Sequence, residues 1–157
     1  GLRQGRWQGG AGPSRVRAVP EEGLGSGAAQ TWCRDMPGDE LEVELTTWES
    51  PIILECYARW CGPCQLMAPA IEDAAMALGS RTRVFSLDTD EYPDLADRFR
   101  VRGLPTLLFL VPDAADQPEV AHRFEGAAPS DYIVQLAEYA FFGGAEPEFP
   151  DIESMYG

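Results

Sequence analysis

The pattern of hydrophobic and polar positions changes near Ala29, and from there strand-like and helix-like segments alternate. Gln30 to Arg34 predicts a short strand. Gly38 to Trp48 predicts a helix, with Asp39, Glu40 and Glu42 in its first turn, where carboxylates suit the positive end of the helix dipole. Pro51 to Tyr57 (PIILECY) is a short apolar run of the buried-strand type. Gly62 to Leu78 predicts a long helix, because Leu66, Ala70, Ile71, Ala74, Ala75 and Leu78 recur at three- and four-residue intervals. Pro69 is expected to kink it, since proline removes a backbone donor, and Gly79 is expected to cap its end. Arg83 to Leu87 predicts a second central strand and Tyr92 to Phe99 a short helix. Thr106 to Val111 and Val120 to Phe124 predict two more strands. Ser130 to Phe141 predicts a last helix, with Ser130 or Asp131 as N-cap and Ile133, Val134, Leu136, Ala137 and Ala140 on one face.

The resulting order, βαβαβαββα, gives an α/β fold class: a central mixed β-sheet with helices on both faces. The early strand–helix alternation implies parallel strands, and the closing pair of adjacent strands implies an antiparallel edge. The periodic region, residues 29–142, is expected to form one domain. Residues 1–28 hold eight of the sixteen glycines. Such a segment cannot bury enough apolar surface to offset its ordering entropy, so a disordered leader is expected there. Being Arg-bearing and acid-poor, its composition resembles the end of an organelle transit peptide. Residues 143–157 read as an acidic tail with Pro147 and Pro150.

Charge sharpens this division. The net charge is -14, with 26 acids against 12 basic residues; every basic residue is arginine, and lysine is absent. The first 20 residues carry +4 and the remaining 137 carry -18. An acidic domain is a poor direct partner for nucleic acid or an anionic membrane, both of which are bound by clustered cations. The longest apolar run, Leu104 to Val111, is far below the roughly 20 residues of a membrane-spanning helix.

The segment that carries chemistry is Trp60-Cys61-Gly62-Pro63-Cys64. Two cysteines three apart at a helix start can close a small disulfide while presenting the first sulfur to solvent. The unpaired N–H groups and positive dipole end of the helix favour thiolate at Cys61. Thiolate is the attacking species in disulfide exchange, so position assigns Cys61 as nucleophile and Cys64 as resolving thiol. Pro63 suits the first helical turn, where its missing donor has no partner to lose. A structural zinc site needs a second ligand pair, which Cys33 and Cys56 do not form. Cys56 reads as a small buried hydrophobe and Cys33 as an ordinarily packed thiol, with a regulatory or intermolecular thiol as the alternative for Cys33. Asp88, Asp90, Glu91, Asp94 and Asp97 lack the glycine and terminal glutamate of a calcium loop and read as residues that cap and solvate a helix start.

With WCGPC at 60–64, Pro69 five residues after the second cysteine, VRGLPTLLFL at 101–110 and Gly126 in FEGA, the sequence resembles the thioredoxin family from about Ala29 to Phe142. VRGLPTLLFLVPD, and Tyr57 ahead of ARWCGPC, look most like the plastid type called thioredoxin z. The resemblance implies a thioredoxin fold and a protein-disulfide reductase that needs no cofactor beyond its redox-active disulfide. Its implied partners are disulfide-containing target proteins and a thioredoxin reductase or other thiol donor. It also implies a cis bond at Pro105, which would bring the backbone at Leu104 against the sulfurs. Trp60, Gly62, Pro63, Gly103, Leu104, Pro105 and Gly126 would then line a substrate groove.

Departures from the family pattern fall close to this site. Glu55 stands where the family carries a buried aspartate that accepts the proton of the resolving thiol, and Ser86 stands where the family has that carboxylate's lysine partner. Glu55 is therefore a third candidate catalytic residue, with desolvation expected to raise its pKa. Gln65 and Glu125 make the rim less positive, while Arg59, Arg100 and Arg102 add charge near it. The thioredoxin z likeness implies a chloroplast stroma location, with cytoplasm or mitochondrion as the alternative. It also carries a second reading, an interaction subunit for fructokinase-like proteins and the plastid transcription machinery in which redox chemistry is secondary.

Overall fold

The computed structural model describes residues 32–151. The leader, the first residues of the expected opening strand and the end of the acidic tail lie outside the described residues.

The elements follow the expected order. They are β1 (Cys33–Asp35), α1 (Gly38–Glu44), β2 (Ile52–Tyr57), α2 (Gly62–Leu78), β3 (Arg83–Asp88), α3 (Pro93–Arg98), β4 (Thr106–Pro112), β5 (Pro118–Glu125) and α4 (Ser130–Phe142). A short 3-10 turn, Gly79–Arg81, follows α2. Gly79 caps α2 at φ +58, a region glycine enters without steric cost. Pro69 lies inside α2, which continues past it to Leu78. The N-cap of α4 is Pro129, one residue before the expected Ser130 or Asp131, and no side chain caps that end. Asp131 instead accepts its N–H bond from Tyr132, at 3.0 Å.

The five strands form one sheet in the order β1-β3-β2-β4-β5. β1 and β2 both run parallel to β3. β4 pairs antiparallel with β2 and β5 antiparallel with β4, so antiparallel pairing reaches the centre of the sheet and not only its edge. The reason lies in α3: six residues span only about 9 Å, against roughly 20 Å for the strand beside it, so this helix does not carry the chain back along the sheet.

Strand alternation with period two divides the core. Ile53, Val84, Leu107 and Phe109 face α2 and α4, where they meet Met67, Ile71, Ala74, Leu78, Ile133, Leu136 and Phe141. Ile52, Leu54, Cys56, Phe85, Leu87, Leu108 and Leu110 face the other side, with Leu41, Leu45, Leu95 and Phe99. The face of α2 differs from expectation at one position: Leu66 is 82% exposed, and Met67 occupies the core beside it. The same alternation decides the fate of Glu55. It follows Ile53 by two residues and so points under α2, where it is 4% exposed.

Candidate active site

Cys61 is the N-cap of α2, and its sulfur accepts the Cys64 backbone N–H at 3.2 Å. Gly62 and Pro63 supply the first turn, and Pro63 does so without a wasted donor. Cys61 and Cys64 are joined by a disulfide, with Cα atoms 5.3 Å apart. Both cysteines are 4% exposed and pack with Ala58, Tyr57 and Leu104. Cys61 in this oxidised form is thus more covered than the helix-start argument suggested, because the loop carrying Leu104 closes over the pair. The Leu104–Pro105 peptide bond is cis, as the resemblance implies.

The residues around the sulfurs are held by several independent contacts. Trp60 is 72% exposed, and its indole N–H donates to Asp90 at 2.7 Å. Thr106 donates to the Gly103 carbonyl at 2.6 Å, and the Gly126 N–H donates to the Pro105 carbonyl at 2.8 Å. Gly126 has φ +110, a conformation that an L side chain would strain, which accounts for glycine there. The Glu125 carboxylate lies over Gly103, 3.6 Å from where a Cβ would stand. Arg123 donates to the carbonyls of Phe99 and Arg100 and anchors the turn that leads into residues 101–105. Arg59 pairs with the buried Asp88 at 3.5 Å, and Asp88 also accepts the N–H of Asp90 at 3.0 Å.

Beneath the disulfide lies a cavity of about 310 Å³, lined by Glu55, Ser86, Cys33, Cys64 and Tyr57, with the exposed Arg59 and Gln65 among its other walls. Cys64 lines this cavity and Cys61 does not. Glu55 and Ser86 are direct register partners on β2 and β3, and the Ser86 hydroxyl donates to Glu55 Oε2 at 2.8 Å. None of the ion pairs among the described residues involves Glu55. Burial pushes the Glu55 carboxyl above its ordinary range, the Ser86 hydrogen bond pulls it down in part, and the negative charge of Asp35 pushes it up further. Burial likewise pushes the thiols of Cys33 and Cys56 up to about 12, so neither is a thiolate near neutrality.

All the site residues expected from sequence gather on one end of the sheet, around the start of α2. Three contributors escaped the sequence reading. Asp90 holds Trp60 from thirty residues away, Arg123 braces the Phe99–Arg100 turn, and Cys33 reaches Ser86. None of these pairings leaves a periodic or spacing signal; each is made by strand order. Asp88, read as a solvated cap, is 5% exposed and organises the turn after β3.

A mixed sheet with a disulfide at the N-terminus of α2, beside a cis-proline loop, defines the class of proteins with the thioredoxin fold. The family profile named Thioredoxin matches residues 35–138, and the chain belongs to the thioredoxin family. It is similar to thioredoxin Y, chloroplastic, of Oryza sativa subsp. japonica, with 36% identity over 102 residues that cover 65% of this chain and 56% of the relative. It is also similar to the thioredoxin-like protein CITRX, chloroplastic, of Oryza sativa subsp. indica, with 46% identity over 88 residues, 56% of this chain and 45% of the relative. The chain thus spans about half the length of these curated relatives. Among solved structures, chloroplastic thioredoxin z matches with a TM-score of 0.58 and 33% identity, covering 67% of this chain and 90% of that one. The relatives therefore include several plastid types, y and CITRX beside z.

Proposed function

We propose that the protein is a protein-disulfide reductase in which Cys61 is the nucleophile, Cys64 the resolving thiol and Glu55 the base that serves Cys64. The observation that carries this reading is the division of the two cysteines. Cys61 sits at the helix N-terminus with an N–H donating to its sulfur, while Cys64 shares a cavity with a buried carboxylate.

In the reduced protein the Cys61 thiolate attacks one sulfur of a target disulfide. The target S–S bond breaks, its second sulfur leaves as a thiolate and takes a proton from water, and a Cys61–target mixed disulfide forms. Cys64 then gives its proton to Glu55, directly or through water, for which the cavity has room. The Cys64 thiolate attacks Cys61, the mixed disulfide breaks, and the target leaves with both sulfurs reduced. The Cys61–Cys64 disulfide closes, and two electrons from an external thiol donor reopen it. Trp60, Gly62, Pro63, Gly103, Leu104, Pro105 and Gly126 form the rim against which an extended target segment would lie.

The chloroplastic relatives support a plastid location and a type close to thioredoxin z, y or CITRX. The deciding experiment is insulin disulfide reduction driven by dithiothreitol, combined with a redox titration of the Cys61–Cys64 pair against glutathione. Wild type should accelerate the reduction, Cys61→Ser should abolish it, and Cys64→Ser should accumulate a mixed disulfide on Cys61. An oxidising midpoint, or unchanged rates in Cys61→Ser, would refute the reading. An adaptor role toward fructokinase-like proteins or a transcription complex predicts instead that the Cys61→Ser, Cys64→Ser double variant keeps partner binding.

A further inference from the structure

Glu55 has no cation beside it among the ion pairs of the described residues, yet it is held in place. The Ser86 hydroxyl donates to its Oε2 at 2.8 Å, and the same hydroxyl oxygen lies 3.0 Å from the sulfur of Cys33. Strand order creates this row. β3 lies between β1 and β2, so Ser86 is flanked by both, and alternation turns Cys33 and Glu55 toward the α2 side. The Cys33 backbone N–H is in turn fixed by Glu72 of α2 at 2.9 Å, and the Trp32 N–H donates to the same carboxylate.

The proton inventory fixes the direction of the row. An ionised carboxylate can only accept, and a serine hydroxyl has one proton to give. When Glu55 is ionised, Ser86 must spend that proton on Oε2, so the contact with Cys33 is made by the thiol S–H donating to the Ser86 oxygen. When Glu55 is protonated, a reversed row would end on the thiol sulfur, which is a weak acceptor. The row is therefore stronger with Glu55 ionised than with Glu55 neutral.

We propose that Cys33 and Ser86 are positioning residues for Glu55: a thiol-to-hydroxyl-to-carboxylate row that replaces a cation in keeping the buried base ionisable during resolution by Cys64. Cys33 suits the terminal place because its thiol stays protonated across the working pH range. It acts as a donor and not as a third redox thiol. The other groups facing Glu55 are Asp35 on β1, whose charge opposes ionisation, Cys64 on α2, and Tyr57 and Arg59 around the cavity. On the β4 side its register partner is the apolar Leu107.

The proposal rests on Glu55 serving Cys64, and the test separates the two. Cys61 is loaded as a mixed disulfide with 5-thio-2-nitrobenzoate, and release of the coloured thiol by Cys64 is followed by stopped flow from pH 5 to 10. Cys33→Ala and Ser86→Ala should move the limb assigned to Glu55 to higher pH and slow release at pH 7 by about two- to tenfold, the effect of losing one hydrogen bond. Cys33→Ser, which restores a donor, should return the limb to the wild-type position or below it. If Glu55→Gln leaves the profile unchanged, Glu55 is not the base and the function reading loses that residue. If Glu55→Gln removes the limb but Cys33→Ala does not move it, the row is overturned. A second readout needs no variant at Cys33: oxidised Cys56→Ala protein retains Cys33 as its single thiol, and its S–H infrared band should shift as Glu55 titrates. A band that does not move with pH would overturn the proposal equally.

Discussion

Replacing Glu55 by Gln should stabilise the oxidised protein at pH 8 and leave its stability unchanged near pH 4. The carboxyl is 4% exposed and receives a hydrogen bond from Ser86, with no ion-pair partner among the described residues. Keeping one carboxylate out of water costs several kcal/mol after relaxation, while a hydrogen bond to a charged group contributes about 1.5–3 kcal/mol. The difference leaves a net penalty of roughly 1–3 kcal/mol on the folded state when Glu55 is ionised. Gln preserves the shape and an acceptor oxygen for Ser86 but carries no charge. The sign follows from linkage. Folding raises the Glu55 pKa, chiefly through burial, so its contribution is fully present below the unfolded value of about 4.3 and is lost as pH rises through the folded value. The advantage of the Gln variant should therefore open as pH rises out of the ordinary carboxylate range and then level off. Urea denaturation of both proteins at a series of pH values, at constant moderate salt, measures it. A difference independent of pH, or a wild type more stable than Glu55→Gln at pH 8, would refute the argument that burial of Glu55 costs more than its hydrogen bond from Ser86 returns.

Alkylation of the reduced native protein with iodoacetamide at pH 7.5 should modify Cys61 first. Cys33 and Cys56, pushed up to about 12, should react only after unfolding, as read by mass spectrometry. Phe109→Ala should cost about 3–5 kcal/mol in urea denaturation, because a fully buried ring in contact with Phe141 and His122 is deleted. Asp88→Ala should cost about 1–3 kcal/mol, since the N–H groups of Asp90 and Glu91 and the guanidinium of Arg59 all lose their acceptor. Asp90→Ala should leave stability within about 0.5 kcal/mol, as an exposed contact, but should shift the Trp60 fluorescence by freeing its indole N–H.

Much of the fold was legible because its elements are amphipathic in simple periods. Gly62 to Leu78 emerged as a helix with the limits expected from its repeat, and β2 to β5 differ from expectation by a residue or two at their ends. The misassignment of Leu66 has a plain cause: it sits at the margin of the apolar stripe, and only the position of the sheet decides that Met67 is the one turned inward. The direction of β4 was also beyond the sequence pattern, because alternation of element types says nothing of how far a short helix carries the chain. At the site, Cys61, Cys64, Pro105 and Glu55 could be singled out from local motif and resemblance. Asp90, Arg123 and Cys33 could not, since their partners lie 23 to 53 residues away.

The sequence by itself determined the redox pair, its placement at a helix start and the presence of an acid without lysine in the chain to pair with it. Those are local facts of spacing and composition. Tertiary structure decided what that acid does have. By laying β3 between β1 and β2, it set Ser86 against Glu55 and Cys33 against Ser86, and it opened a cavity that reaches Cys64. The physical reason is register: each hydrogen-bonded pair is made across strands, and a shift of one residue would turn any of the three side chains to the opposite face of the sheet.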